Sequence, residues 1–143
     1  KAKIAEGILS QEGEFISPET GDVIGLDDIA GVKVLIRVFE PETALKDSAS
    51  KVILALSDRL RQKIGSGIVF IATCGCEKDI FICLATDDII RKGFSCKTFI
   101  SESGKELSLA GGGNDKKVQG VVQEKGDDFK NKVKEAISKF IKK

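Results

Sequence analysis

Ile68-Val69-Phe70-Ile71-Ala72-Thr73-Cys74 is apolar at almost every consecutive position, and this run restricts the fold more than any other part of the chain. Alternate residues of a strand point to opposite faces, so an unbroken apolar run needs cover on both, as in a central strand between layers of helix. Gly75-Cys76-Glu77-Lys78 then supplies turn residues, and Asp79 to Thr86 reads as a second strand beside the first. Upstream, Gly31 to Phe39 is β-branched, with Val32, Val34, Ile36 and Val38 on one face and Leu35 and Phe39 on the other. After the Glu40-Pro41 break, Leu45, Ala49, Val52, Ile53, Leu56, Leu60 and Ile64 recur every three or four residues, which makes an amphipathic helix closed by Gly65.

The rest of the chain repeats this alternation. Asp87 or Asp88 caps a short helical turn through Ile89 and Ile90, and Ser95 caps a helix carrying Cys96, Phe99 and Ile100 that is expected to end at Gly104. Val118 to Gln123 reads as a further strand, and Asp127-Asp128 caps a closing helix with Phe129, Val133, Ala136, Ile137, Phe140 and Ile141 on one stripe. At the other end, Ile4, Ala5, Ile8 and Leu9 have helical spacing, and residues 14–25 carry the turn chemistry of a hairpin or ordered loop. The expected fold is α/β: a mixed β-sheet flanked by helices, with a short N-terminal helical remnant. Residues 1–30 are assigned to the end of a preceding helical segment and its connecting loop or hairpin, and residues 31–143 to the globular α/β domain.

Several chemistries are disfavoured by what the chain lacks. It contains no His, which removes the commonest general base, the Ser-His and Cys-His nucleophile pairs and the commonest zinc ligand. There is no Gly-x-Ser-x-Gly elbow. Cys74, Cys76, Cys83 and Cys96 are separated by one, six and twelve residues, a poor match to structural zinc pairs, and read as reduced thiols in a cytoplasmic protein. Asp27-Asp28 and Asp87-Asp88 are adjacent pairs whose side chains diverge on a strand or helix, which argues against a metal centre. No apolar run is long enough to span a bilayer, so no membrane partner is expected. The chain also has no Met, so it reads as a piece of a longer polypeptide or a processed product.

Net charge is only +1, yet it is unevenly spread. Residues 1–64 carry nine Lys and Arg against eleven acids, whereas residues 104–143 carry ten Lys against six acids. The basic surplus accompanies Leu109-Ala110-Gly111-Gly112-Gly113-Asn114-Asp115-Lys116-Lys117-Val118-Gln119-Gly120. Three glycines strip the side chains from one piece of backbone, so their amides can approach a phosphate or sugar while lysines supply countercharge. A flexible surface loop followed by two solvated lysines fits the same residues, and the run alone leaves both readings open. It is not a P-loop, because no Gly-Lys-Ser or Gly-Lys-Thr closes it, nor a dinucleotide fingerprint, because no helix opens behind it. The lysines of the closing helix are spread around its polar circumference and read as a solvated face.

Taken in order, the helix ending Ile64-Gly65-Ser66-Gly67, the Ile-Val-Phe-Ile-Ala-Thr strand, the Thr86-Asp87-Asp88 turn, Gly104-Lys105 and the triple glycine leading into Val118-Gln119 resemble the DHH-associated domain that ends alanine-tRNA ligases. That resemblance covers roughly residues 31–143. It implies a non-catalytic module that docks on the outer corner of tRNA(Ala) and supports aminoacylation and editing by other domains of the same chain, in the cytoplasm. The binding residues it implies are Lys105, Gly111, Gly112, Gly113, Asn114, Lys116, Lys117 and Gln119, with no catalytic or metal-binding residue. No cofactor is expected in this piece, while a parent ligase would use ATP with Mg and Zn. Where the usual motif has Arg-Pro after the glycines, this chain has Asn114-Asp115, and two ammonium groups cannot reproduce the bidentate fork of an arginine. Two other readings stay open: the substrate-clamping domain of a DHH phosphoesterase, and a self-association module forming a homodimer.

Overall fold

The computed structural model describes residues 23, 26–29, 31–40, 49–75, 78–123 and 128–141. The N-terminal helical remnant, the hairpin or loop expected over residues 14–25 apart from Val23, and the start of the first long helix lie outside the described residues. Strands β1 (Leu26–Ile29), β2 (Val32–Phe39), β3 (Ile68–Thr73), β4 (Ile80–Ala85), β5 (Leu109–Gly113) and β6 (Lys117–Val122) form one sheet. Its order is β1-β2-β3-β4-β6-β5. Only β2 and β3 run parallel, joined by helix α1 (Ala49–Ile64); the other neighbours are antiparallel. A parallel pair needs such a crossover, and a helix supplies it. Helices α2 (Asp87–Arg91), α3 (Cys96–Leu107) and α4 (Phe129–Ile141) complete the described fold.

The double-sided strand patterns have their expected cause. On one face, Val34, Ile36, Ile68, Phe70, Phe81 and Cys83 pack against Phe99, Phe129, Val133 and Ile137 of α3 and α4. On the other, Leu35, Phe39, Val69, Ile71, Ile82 and Leu84 pack against Val52, Ile53, Leu56 and Leu60 of α1. All six residues of β3 are buried, as its sequence requires. Gly65 closes α1 with φ +73°, its N–H donating to the Arg61 carbonyl at 3.0 Å.

Four features differ from the sequence expectations. α2 has Thr86 at its N-cap, with Asp87 and Asp88 inside its first turn rather than capping it. β1 joins the sheet although Leu26-Asp27-Asp28-Ile29 has a polar centre. Its pairing is fixed by a tight turn in which the Gly31 N–H donates to Asp28 Oδ1 at 3.0 Å. α3 does not stop at Gly104 but continues to Leu107, and Ser108 closes it in the left-handed region at φ 59°. Gly104 serves packing instead, because a Cβ there would lie 2.9 Å from the Leu109 carbonyl oxygen. Finally, the triple glycine is not a surface loop but the extended edge strand β5.

Of the cysteines, Cys83 and Cys96 are buried free thiols with their sulfurs 3.6 Å apart. The Cys96 hydrogen bond and burial push the Cys83 thiol up, so Cys83 is no nucleophile. Among the described residues no group of His, Cys, Asp or Glu is arranged to hold a metal ion, and no helix is long and apolar enough to cross a membrane.

Candidate nucleic-acid interface

The β5–β6 hairpin owes its closeness to glycine. Gly111 stands opposite Gly120, and Gly113 opposite Val118. A Cβ on Gly111 would fall 2.3 Å from the Gln119 oxygen, on Gly113 2.1 Å from the Lys117 oxygen, and on Gly120 2.0 Å from the Ala110 oxygen. No side chain fits at these three positions while the strands keep this spacing. Gly112, by contrast, faces open space.

The ladder decides which amides are available. Asn114 N–H donates to the Lys117 carbonyl at 2.9 Å, and Gln123 N–H to the Ser108 carbonyl at 2.8 Å. Antiparallel partners alternate between hydrogen-bonded and non-hydrogen-bonded pairs, so residues 110 and 112 also bond to β6, and Gly111 and Gly113 turn their N–H and C=O groups outward. β5 is the last strand of the sheet, and Gly111, Gly112 and Gly113 are all exposed.

The tip of the hairpin is built from the residues that depart from the usual motif. Asn114 Oδ1 accepts from the N–H groups of Lys116 and Lys117 at 2.9 and 3.1 Å. The Asp115 carbonyl accepts the Cys96 N–H at 2.8 Å, and its Oδ1 accepts the Ser95 hydroxyl at 2.6 Å. Ser95 is at the same time the N-cap of α3, its Oγ accepting from Thr98 N–H at 3.2 Å. The turn is thereby tied to the start of α3. Lys116 Nζ lies 2.6 Å from Asp87 Oδ1, and this ammonium holds the exposed Asp87 carboxyl below its usual range.

Between α3 and the glycine edge runs an open groove of about 520 Å³, lined among others by Lys97, Ser101, Lys105 and Gly111 to Gly113. Lys97, Ser101 and Lys105 recur every four residues and therefore share one stripe of the helix. Neither lysine has an ion-pair partner among the described residues, whereas Lys116 is engaged by Asp87. The fold thus brings Lys105 to the glycines and adds Lys97 and Ser101, which sequence reasoning missed. Their four-residue spacing in a helix capped at Ser95 was the available signal. Lys117 and Gln119 go elsewhere: they pair with Leu84 and Ile82 across the ladder and point to the α1 face, while the intervening Val118 is buried on the α3–α4 side.

No family model matches the chain. Curated relatives do. It is 31% identical over 111 residues to the alanine-tRNA ligase of Thermoanaerobacter pseudethanolicus and 28% identical over 111 residues to that of Dehalococcoides mccartyi strain CBDB1, each match covering 78% of this chain. The chain spans only 11 to 12% of the length of these relatives. Among solved structures, the C-Ala domain of Aquifex aeolicus alanyl-tRNA synthetase matches with TM-score 0.65 and 25% identity, over 82% of this chain and 98% of that one. RecJ from Thermus thermophilus matches with TM-score 0.61 over 99% of this chain and 18% of its own, and at 11% identity this likeness shows a shared fold alone. Fold and sequence together define an α/β domain of the C-Ala class. The chain belongs with the C-terminal domains of alanine-tRNA ligases.

Proposed function

We propose that this domain is a tRNA-contacting module of an alanine-tRNA ligase, holding the folded RNA for aminoacylation and editing by other domains while doing no chemistry itself. The observation that carries the reading is the juxtaposition of an exposed, side-chain-free strand edge with Lys105 across one groove. Folded RNA presents phosphates and 2′-hydroxyls, which backbone amides and a few cations contact without reading bases. Lys117 and Gln119 on the opposite face of the same hairpin extend the contact around its edge. Asn114 acts through the turn it holds, and Lys116 contributes charge only when its exposed pair with Asp87 opens. tRNA(Ala) is the partner that kinship with alanine-tRNA ligases indicates.

Fluorescence anisotropy with tRNA(Ala) tests this. Binding should weaken as salt rises, with a log–log slope of magnitude roughly 2 to 3 if three lysines each neutralise a phosphate. Changing Lys105, Lys116 and Lys117 together to Glu should weaken binding at least about tenfold while the circular dichroism spectrum holds and the melting temperature falls only by the small contribution of the exposed Lys116–Asp87 pair. Unchanged affinity in that folded variant removes the site.

A further inference from the structure

The groove has a composition that selects for one kind of RNA. Among the described residues, its lining holds no aromatic side chain to stack a base and no carboxylate to repel a phosphate. On one wall, Lys97 and Lys105 are eight residues apart on α3, about 12 Å along the axis, with the Ser101 hydroxyl midway. On the other, the outward amides of Gly111 and Gly113 repeat two residues apart, about 6.7 Å along an extended strand. The wall-to-wall geometry is held at the hairpin tip by the Asp115 contacts to Ser95 and Cys96. One helix and one strand edge wall the groove, so a single chain lying between them meets the lysines and the amides at once.

We propose that the groove takes a single sugar–phosphate strand running between α3 and β5, with Lys97 and Lys105 on phosphates of separate nucleotides, Ser101 on the intervening sugar–phosphate, and the Gly111 and Gly113 amides opposite. This rests on the RNA-contact reading above and narrows it. The ligand at this site is an unpaired or looped-out stretch gripped by its backbone, independent of sequence, and Lys97 contributes as much as Lys105.

The test uses the whole chain with two fluorescein-labelled probes, a short oligouridylate and a blunt RNA duplex of equal charge, titrated at several salt concentrations beside tRNA(Ala). The oligouridylate should bind more tightly than the duplex. Lys97→Gln and Lys105→Gln should each weaken it roughly threefold or more and lower the salt slope by about 0.7, the increment for one phosphate on a single strand. Lys130→Gln, an exposed charge on α4 away from the groove, should change neither. Tighter binding of the duplex, or a Lys97→Gln variant indistinguishable from wild type while Lys105→Gln is impaired, overturns this inference and leaves the tRNA reading standing. Failure of every probe, tRNA(Ala) included, overturns both.

Discussion

The centre of the sheet and its β5–β6 edge are built on opposite principles. Strands β2, β3 and β4 are defined by large side chains interlocked on two faces: Phe70 is fully buried, stacked on Phe81 at 5.7 Å between ring centroids and tilted against Phe129 at 6.2 Å. At the edge, Gly111, Gly113 and Gly120 are defined by side chains they lack, and the backbone itself becomes the exposed surface. The centre therefore supplies the stability that lets the edge forgo packing and present amides to a ligand. A hairpin with so little buried apolar surface would not hold its shape alone.

That division of labour can be broken first at the centre. Phe70→Ala should cost about 3 to 5 kcal/mol, the range for emptying a buried aromatic site, with the urea midpoint falling and its slope unchanged. A loss below about 1 kcal/mol would mean the centre is not the tightly packed support described. At the edge, Gly120→Ala forces a Cβ to within 2.0 Å of the Ala110 oxygen and should cost about 1 to 3 kcal/mol, as overpacking does. Its signature should be local: faster hydrogen exchange at β5 and β6 amides, with β3 amides less affected. Gly112→Ala, facing open space, should be close to neutral. Equal costs at 112 and 120 would contradict the claim that glycine is needed for strand approach rather than for flexibility.

The same contrast explains what could be read from the residues alone. Apolar patterning is local information, so β2, β3 and the buried stripe of α1 are legible from Val34, Leu35, Val69, Phe70 and Leu56. β1 is not, because Asp27 and Asp28 break its pattern and it exists only by pairing with β2. β5 is hidden in the sequence because glycines carry no periodicity, and only the facing Gly120 shows that the run is extended. At the candidate site, Lys105 and the glycines could be associated by sequence proximity. Which stripe of α3 faces the strand is a tertiary fact, and it brings in Lys97 and Ser101. Strand alternation around Val118 carries Lys117 and Gln119 to the other face, a consequence the motif-level view of one continuous basic run obscured.

The junction between the two regions yields the smallest effect and the finest comparison. Thr86 follows β4, and its hydroxyl donates to Asp88 Oδ1 at 2.5 Å while accepting the Gly67 N–H at 3.0 Å. Ser66 donates to the other oxygen of Asp88, so this carboxylate bridges the loop after α1 to the start of α2. Those hydroxyls, Ser66 first and Thr86 second, hold the Asp88 carboxyl below the usual value of about 3.9. A carboxyl whose folded-state value is depressed contributes stability that is complete above the unfolded value and is lost as pH falls through the folded one. Asp88→Asn should therefore lower the melting temperature at pH 7, and the gap to wild type should shrink as acid protonates the wild-type group below about pH 4. Asp87, adjacent but tied to Lys116 at the exposed hairpin tip, supplies the contrast: its share should fade when salt is added, while the hydroxyl-bonded Asp88 should keep its share. If both respond to salt alike, the two carboxylates are only surface charges, and the hairpin tip is not distinguished from the sheet it borders.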